Sequence, residues 1–440
     1  GDFTRPMLSA AGALLAYIEV TQVGNMPRLL PLISVNDNNY MEIDPATRRS
    51  LELSRTLNGE RRGSLLHAVD WTLTAAGGRL LGERLAAPLF NVGAINSRLD
   101  LVSWFIAGES CCEAVRERLR VHPDIERALS RLSLGHGGPR DLAAIANGLT
   151  GTGHIARYIT DSANKDVSSL SMPQSLPACL ESMILPLPLV DEVAPALGDE
   201  LPLLARDGGF VRDGYDCALD NLRGLRDESR CLIVALEARY ADETGIQSLK
   251  IKHNNVLGYH IDVRTAHAPK LMDHETFIHR QTTAQAVRFT TTELAKMERD
   301  MANAADRALA LELEIFNRLR SSVLAMGSQL ADSARALAEI DVATASAQLA
   351  NSNHHCRPQM RDEPVFEITK GRHPVIEPLL ESQTPFIAND CNLNDGCLWL
   401  LTGPNMAGKS TFLRQNAHIA IMAQAGLYVP AESAIIGLVD

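Results

Sequence analysis

The sequence predicts a mixed fold: a mainly α-helical core with long lever helices, a small β-rich insert, and the beginning of an α/β P-loop domain at the C-terminal end. Three observations predict it. Apolar residues recur at 294, 297, 301, 304, 308, 311, 315 and 319, the three–four spacing of a long helix with a coiled-coil-like stripe. Leu249 to Lys252 and Leu257 to Val263 alternate instead, with the period of two that marks strands. Leu398 to Thr402 run as an apolar strand into Gly403-x-x-x-x-Gly408-Lys409-Ser410, and a helical pattern follows.

Length and composition bound the rest. At 440 residues, two to four domains are expected. Apolar content of 45% and charged content of 22% are ordinary for a globular chain, and aromatics at 5% favour helix packing. The net charge of −11 repels nucleic acid as a whole, so any DNA contact needs a local basic surface. None of the eight cysteines forms a Cys-x-x-Cys pair, so reduced cytosolic thiols are expected. No apolar run approaches a membrane span, and Gly1-Asp-Phe-Thr4 has no signal-peptide character. The missing initiator Met suggests an excised internal segment.

In chain order, a helix is expected from Leu8 to about Gln22. Asp44 and Pro45 then read as the N-cap and first position of a helix through 57. Further helices are expected at 63–86, 96–107, 111–119, 123–132 and 139–148, ending near the Pro-rich stretch 185–190 and Gly208-Gly209. Residues 1–205 read as a scaffold without a site of its own. A long helix covers 213–243, and the alternating insert follows, with a turn at 253–255. After Thr282 no Gly or Pro occurs until Gly327, so the returning helix is expected to run about forty residues, roughly 60 Å. Long helix, small sheet and long helix make a lever with a tip.

The tip is the one region with a basic excess. Within 246–290, Lys250, Lys252, Arg264, Lys270, Arg280 and Arg288 face only Asp262, Asp273 and Glu275. Lys250 and Lys252 share one strand face, which suits phosphate contacts that position a duplex without reading it; the other reading is a solvated face. Five histidines (253, 260, 267, 274 and 279) have irregular spacing and no recurring acidic or Cys partners, so a metal site is not expected.

The chemistry of the glycine-rich loop explains its spacing. Gly403 and Gly408 let the backbone curl so that successive N–H groups face phosphate oxygens, and the helix from Lys409 adds its positive end. Lys409 can reach the β/γ-phosphates of a nucleotide, and the Ser410 hydroxyl can ligate Mg²⁺. Val365 to Thr369 and 397–402 read as strands and Ser410 to Ala425 as a helix closed by Gly426.

The loop interior is more specific than its pattern. Gly403 to Gln415, Gly-Pro-Asn-Met-Ala-Gly-Lys-Ser-Thr-Phe-Leu-Arg-Gln, closely resembles the P-loop of MutS-type DNA mismatch repair ATPases; Ala407 stands where the usual bacterial version has Gly. Gly371 to Val375 and Pro385 to Asn389 resemble the two segments opening that ATPase domain. Leu257 to Ile261 and Arg280 to Thr282 resemble its DNA clamp, and Ala46 to Glu52 its core domain. The segments lie in family order over essentially the whole chain.

The resemblance implies residues 1–8 as the end of a connector, 9–222 as helical core and lever, 223–290 as clamp, 291–352 as returning lever helix and 353–440 as the first part of the ATPase domain. It implies ATP and Mg as cofactors, with Gly403, Pro404, Asn405, Met406, Ala407, Gly408, Lys409, Ser410 and Thr411 around the phosphates and Phe386, Ile387 and Asn389 around the adenine. From the residues alone, Phe386 and Ile387 could equally be core. Lys250, Lys252, Asn254, Arg264, Arg280, Gln281 and Thr282 are the candidate DNA contacts. A homodimer or paralogue heterodimer, a MutL-type partner, double-stranded DNA, no membrane, and a bacterial cytoplasmic location (mitochondrial or nuclear in a eukaryote) are further implications.

Two family features are not found. No Walker B strand follows the P-loop helix, so ATP binding without hydrolysis is expected. No Phe is followed two residues later by Glu, the family's mismatch wedge, so DNA binding without mismatch preference is expected from this segment. The alternatives are a paralogue acting on recombination intermediates or stalled ribosomes, and a chromosome-condensation-type ATPase. The latter is disfavoured because its coiled coil would follow the P-loop, whereas the long helices here precede it.

Overall fold

The structure is a computed structural model that describes residues 3–22, 29, 32, 39–164, 171–184, 188–254, 257–380, 385–393, 397–404 and 407–440. Its helices are α1 (Arg5–Gln22), α2 (Pro45–Ser50), α3 (Leu65–Val69), α4 (Ala75–Ala86), α5 (Val92–Ala107), α6 (Glu109–Arg120), α7 (Ile125–Ser133), α8 (Pro139–Asn164), α9 (Ser175–Met183), α10 (Pro188–Ala196), α11 (Cys217–Thr244), α12 (Ala268–Met272), α13 (Thr292–Ala325), α14 (Gly327–Asn353) and α15 (Lys409–Ala425). Its strands are β1 (Lys250–Asn254), β2 (Gly258–Arg264), β3 (Ile278–Thr282), β4 (Ala286–Thr290), β5 (Gln359–Arg361), β6 (Phe366–Gly371), β7 (Asn389–Asn392) and β8 (Ser433–Gly437). The fold is mainly helical with two small sheets. It divides into one unit of residues 1–137, 141–190 and 323–440 and another of 138–140 and 191–322.

In the first unit α14 is the central element. Along 336–350 its Ala- and Ser-rich sequence is buried or half-buried at every residue, so this stretch is enclosed on every side rather than along one stripe. α4, α5, α6, α7 and α9 pack against it. Small residues let these helices approach closely: a Cβ on Gly77 would lie 2.8 Å from Cγ of Asp341. Asp341 is fully buried on α14 and accepts hydrogen bonds from the Leu73 N–H (3.0 Å), the Thr74 N–H (2.7 Å) and the Thr74 hydroxyl (2.6 Å). Thr74 in turn N-caps α4. That arrangement breaks the expected helix 63–86 into α3 and α4, because the chain at 70–74 turns to serve a buried carboxylate.

The second sheet of this unit has the order β5-β8-β6-β7, with β5 and β8 parallel and the other pairs antiparallel. It shares a continuous core with α15 and the helical region: Leu81, Leu85, Val342, Ile419, Met422 and Ile436 belong to one cluster. The expected strand at 397–402 is not formed. Strands exist by ladder hydrogen bonds, the sheet edges are β5 and β7, and neither pairs with this segment. Leu398 and Leu400 are accordingly 91% and 87% exposed. The helix expected through 57 also stops early, at Ser50, where Leu51 to Arg55 turn and Glu52 takes a positive φ of 53°.

In the second unit, β1-β2-β4-β3 form an antiparallel sheet between α11 and α13 in sequence. Ile261, Val263, Val287 and Phe289 fill one face, with Ile233, Leu236 and Tyr240 of α11 and Leu294 of α13 in the same core. The returning helix begins at Thr292, beside the expected 291, and 286–290 before it alternate as strand β4. At 34 residues α13 is about 51 Å long. Gly258 opens β2 with φ +67°, and a Cβ there would lie 2.7 Å from Cδ of Glu298, whose carboxylate accepts the Tyr259 N–H at 3.0 Å. A glycine is therefore required in the Leu257 to Ile261 motif for both conformation and space.

Candidate functional site

The glycine-rich loop ends at Gly408, which has φ +81° and forms the N-cap of α15 without a side-chain hydrogen bond. The N–H groups of the first helical turn are thus left to face whatever lies in the loop, the arrangement that binds anions. Lys409 folds back over the loop and donates to the Gly403 carbonyl and, at 2.7 Å, to the Pro404 carbonyl. Ser410 is exposed and Thr411 half-buried on the first turn, and the Ala407 N–H reaches the Pro404 carbonyl at 3.4 Å. Asn405 and Met406 lie outside the described residues. This donor set, a lysine, an uncapped helix start and a hydroxyl, fits a polyphosphate with its Mg²⁺.

The residues expected around an adenine are more dispersed. Phe386 is half-buried, Ile387 is 82% exposed, and Asn389 opens β7 and donates to the Ile387 carbonyl at 2.9 Å. Beneath α15 lies a polar layer that sequence reasoning missed. Arg414 pairs with Glu52 at 3.0 Å, and four residues on, His418 Nε2 donates to the Leu51 carbonyl at 2.7 Å. One face of the P-loop helix therefore holds the turn that follows α2. His373, of the Gly371 to Val375 segment, packs edge-on against His418 with centroids 5.1 Å apart. Its Nδ1 accepts the N–H groups of Val375 (3.2 Å) and Ile376 (3.3 Å). Burial, then the neighbouring His418 and Arg414, push His373 down to about 4, and burial likewise lowers His418. The signal was the spacing of Arg414 and His418 on α15, where two residues four apart share a face.

In the other unit the register gathers the basic residues on the sheet face opposite the core. Lys250 pairs with Asp262, Asp262 with Arg288, and Arg288 with Gln281, while Lys252 and Arg264 point to the same side. Four cations therefore surround Asp262 on one face. Lys250 is bound to Glu237 of α11 at 2.8 Å, Lys252 lies 3.4 Å from Asp262, and Arg288 donates to Gln281 at 2.9 Å. Burial alone would raise Glu237, but the hydrogen bonds from Lys250 and the Ile251 N–H hold it below the usual carboxylate value. Arg280 occupies a β-bulge between His279 and Gln281 and is exposed, Thr282 bonds His279 at 2.9 Å, and Asn254 accepts the Leu257 N–H at 2.7 Å. Bulges re-aim side chains at functional edges. Arg288 is the residue the candidate contacts omitted; the alternation of 286–290 was its signal.

Residues 46–347 match MutS domain III, and residues 399–440 match MutS domain V. The chain belongs to the MutS family. It is 52% identical over 444 residues to the DNA mismatch repair protein MutS of Rhodopseudomonas palustris strain HaA2, and 50% identical over 454 residues to that of strain BisB5. Each alignment covers 98% of this chain and 48% of the relative, so the chain spans about half the length of the curated MutS proteins it matches.

Proposed function

We propose that this MutS-family chain is the core, clamp and leading ATPase segment of an ATP-dependent DNA mismatch recognition protein. The observation that carries the reading is the match to MutS domain III, which spans both the helical core and the basic sheet. In this reading 1–8 end a connector, 9–222 are core and lever, 223–290 are the clamp, 291–352 are the returning helix and 353–440 begin the ATPase domain. The sheet face with Lys250, Lys252, Arg264 and Arg288 lies along duplex phosphates, Arg280 reaches out from its bulge, and Asn254, Gln281 and Thr282 add neutral contacts. Phosphates sit across 403–408 and the start of α15, with Lys409 leaving the loop carbonyls for the β/γ-phosphates and Ser410 on Mg²⁺; Phe386, Ile387 and Asn389 flank the base. ATP bound there supplies the energy that changes clamp grip, in a cytoplasmic dimer that hands on to a MutL-type factor. This segment binds ATP without turning it over.

The test is fluorescence anisotropy with a labelled duplex across a salt series. Lys250→Ala/Lys252→Ala should weaken binding to every sequence equally and flatten the slope of log K against log salt by roughly one unit for each phosphate no longer neutralised. Lys409→Ala should abolish nucleotide binding and leave that slope alone. An unchanged salt slope in the double variant would remove the sheet from the DNA interface.

A further inference from the structure

A cavity of about 710 Å³ lies in the first unit between α4, α5, α14 and the segment leading into α2. Arg84 of α4, Arg98 of α5 and Arg335 of α14 converge on it. Such a volume is that of a small-molecule site rather than a packing fault. Its charge balance is unusual. Arg84 is only 5% exposed; one end of its guanidinium pairs with Glu339, while its Nε is buried without a hydrogen-bond partner. Arg98 spends Nη1 on the Ala425 carbonyl at 3.1 Å. Burial, followed by the like charge of Arg84, pushes the Arg98 guanidinium below its ordinary value.

The other carboxylates at the walls do not supply the missing charge. Asp44 is occupied in capping α2 through the N–H groups of Ala46 and Thr47 and the Thr47 hydroxyl. Glu42 and Glu83 are exposed at the rim. Arg48, also in the wall, donates its Nε to the Ile43 carbonyl. Four guanidiniums thus line a cavity where, among the described residues, Glu339 is the one carboxylate paired with any of them, and a buried cationic donor left without a hydrogen bond is costly. Arginine forks match tetrahedral oxyanions in charge and geometry.

We propose that this cavity binds a phosphate-class oxyanion carried by a small molecule, held by Arg84, Arg98 and Arg335. A lone phosphate leaves much of the volume over, and Tyr40, Met41 and Leu80 offer an aromatic and apolar wall for the remainder of the ligand. The site lies behind the P-loop helix: Arg98 caps the C-terminal end of α15, and its stem rests against Gly426. It is therefore distinct from the phosphate site at the other end of that helix.

The experiment is isothermal titration of the 440-residue chain carrying Lys409→Ala, which silences the P-loop, at constant ionic strength. Inorganic phosphate, pyrophosphate, uridine monophosphate and acetate are the probes. Saturable binding of the phosphates but not of acetate is expected, weakened by about tenfold or more in Arg98→Gln and in Arg335→Gln, since one charge-assisted hydrogen bond is worth at least that factor. Arg335 is exposed, so its variant keeps the test independent of folding. Tighter binding of uridine monophosphate than of inorganic phosphate supports a phosphorylated small molecule; equal or weaker binding overturns that part and leaves a free-anion site. No saturable phosphate binding, or binding indifferent to both substitutions, overturns the proposal.

Discussion

His373→Asn should remove one share of the acid sensitivity of the unit that contains the P-loop helix, alongside His355, which burial also lowers to about 4. His373 is 3% exposed, neutral, and held at about 4 by burial and by its cationic neighbours, against about 6.5 in an unfolded chain. A histidine depressed in this way adds no penalty above the unfolded value, and its stability contribution is lost as pH falls from about 6.5 through about 4. At pH 5.0 the unfolded chain gains about 2 kcal/mol by taking up that proton, and the full loss below pH 4 is about 3 kcal/mol. Asparagine puts its Oδ1 near the place of Nδ1, so the N–H groups of Val375 and Ile376 keep an acceptor. The assay is urea unfolding at pH 7.5 and 5.0, read as the shift in midpoint at constant slope. The wild-type chain should lose about 2 kcal/mol more than the variant between those two conditions. An identical pH dependence in both chains would refute the buried neutral imidazole.

Gly77→Ala forces a methyl group against the Asp341 carboxylate, which must move and loosen its bonds to residues 73 and 74. A loss of about 3 kcal/mol is expected from overpacking with a disturbed charged acceptor, checked by the urea midpoint; a loss below about 1 kcal/mol would contradict the close approach. Gly258→Ala combines a left-handed backbone with displacement of Glu298 from the Tyr259 N–H, for about 2 kcal/mol. Hydrogen exchange should therefore accelerate in 250–290 and stay unchanged in 327–353.

The sequence made some features legible and hid others for identifiable reasons. Gly403, Gly408 and Lys409 announced a phosphate loop because loop curvature imposes fixed spacing, and α15 follows them. The strand before that loop was not foreseeable as absent, since Leu398 to Leu401 read as a buried strand whether or not a partner strand lies alongside. The boundary at 290/291 was legible, since apolar residues take up the three–four spacing only from Leu294, although no strand over 286–290 was singled out even though Val287 and Phe289 alternate with Ala286 and Arg288. The enclosure of α14 leaves no periodicity to read. Lys250 looked like a free cation because its partner Glu237 sits on α11, thirteen residues away. Arg84 and Arg98 drew no reading from the sequence, because burial of a long side chain leaves no trace in local pattern.

The open Leu398 to Thr402 segment has a consequence for anyone handling the purified chain. It sets a run of leucines and a tryptophan in water with backbone donors and acceptors outside any ladder. Such a ribbon is a template for a second molecule, and pairing between two copies satisfies both at once. Concentrated solutions should therefore scatter light increasingly with protein concentration, and storage at low concentration should preserve monodisperse material longer.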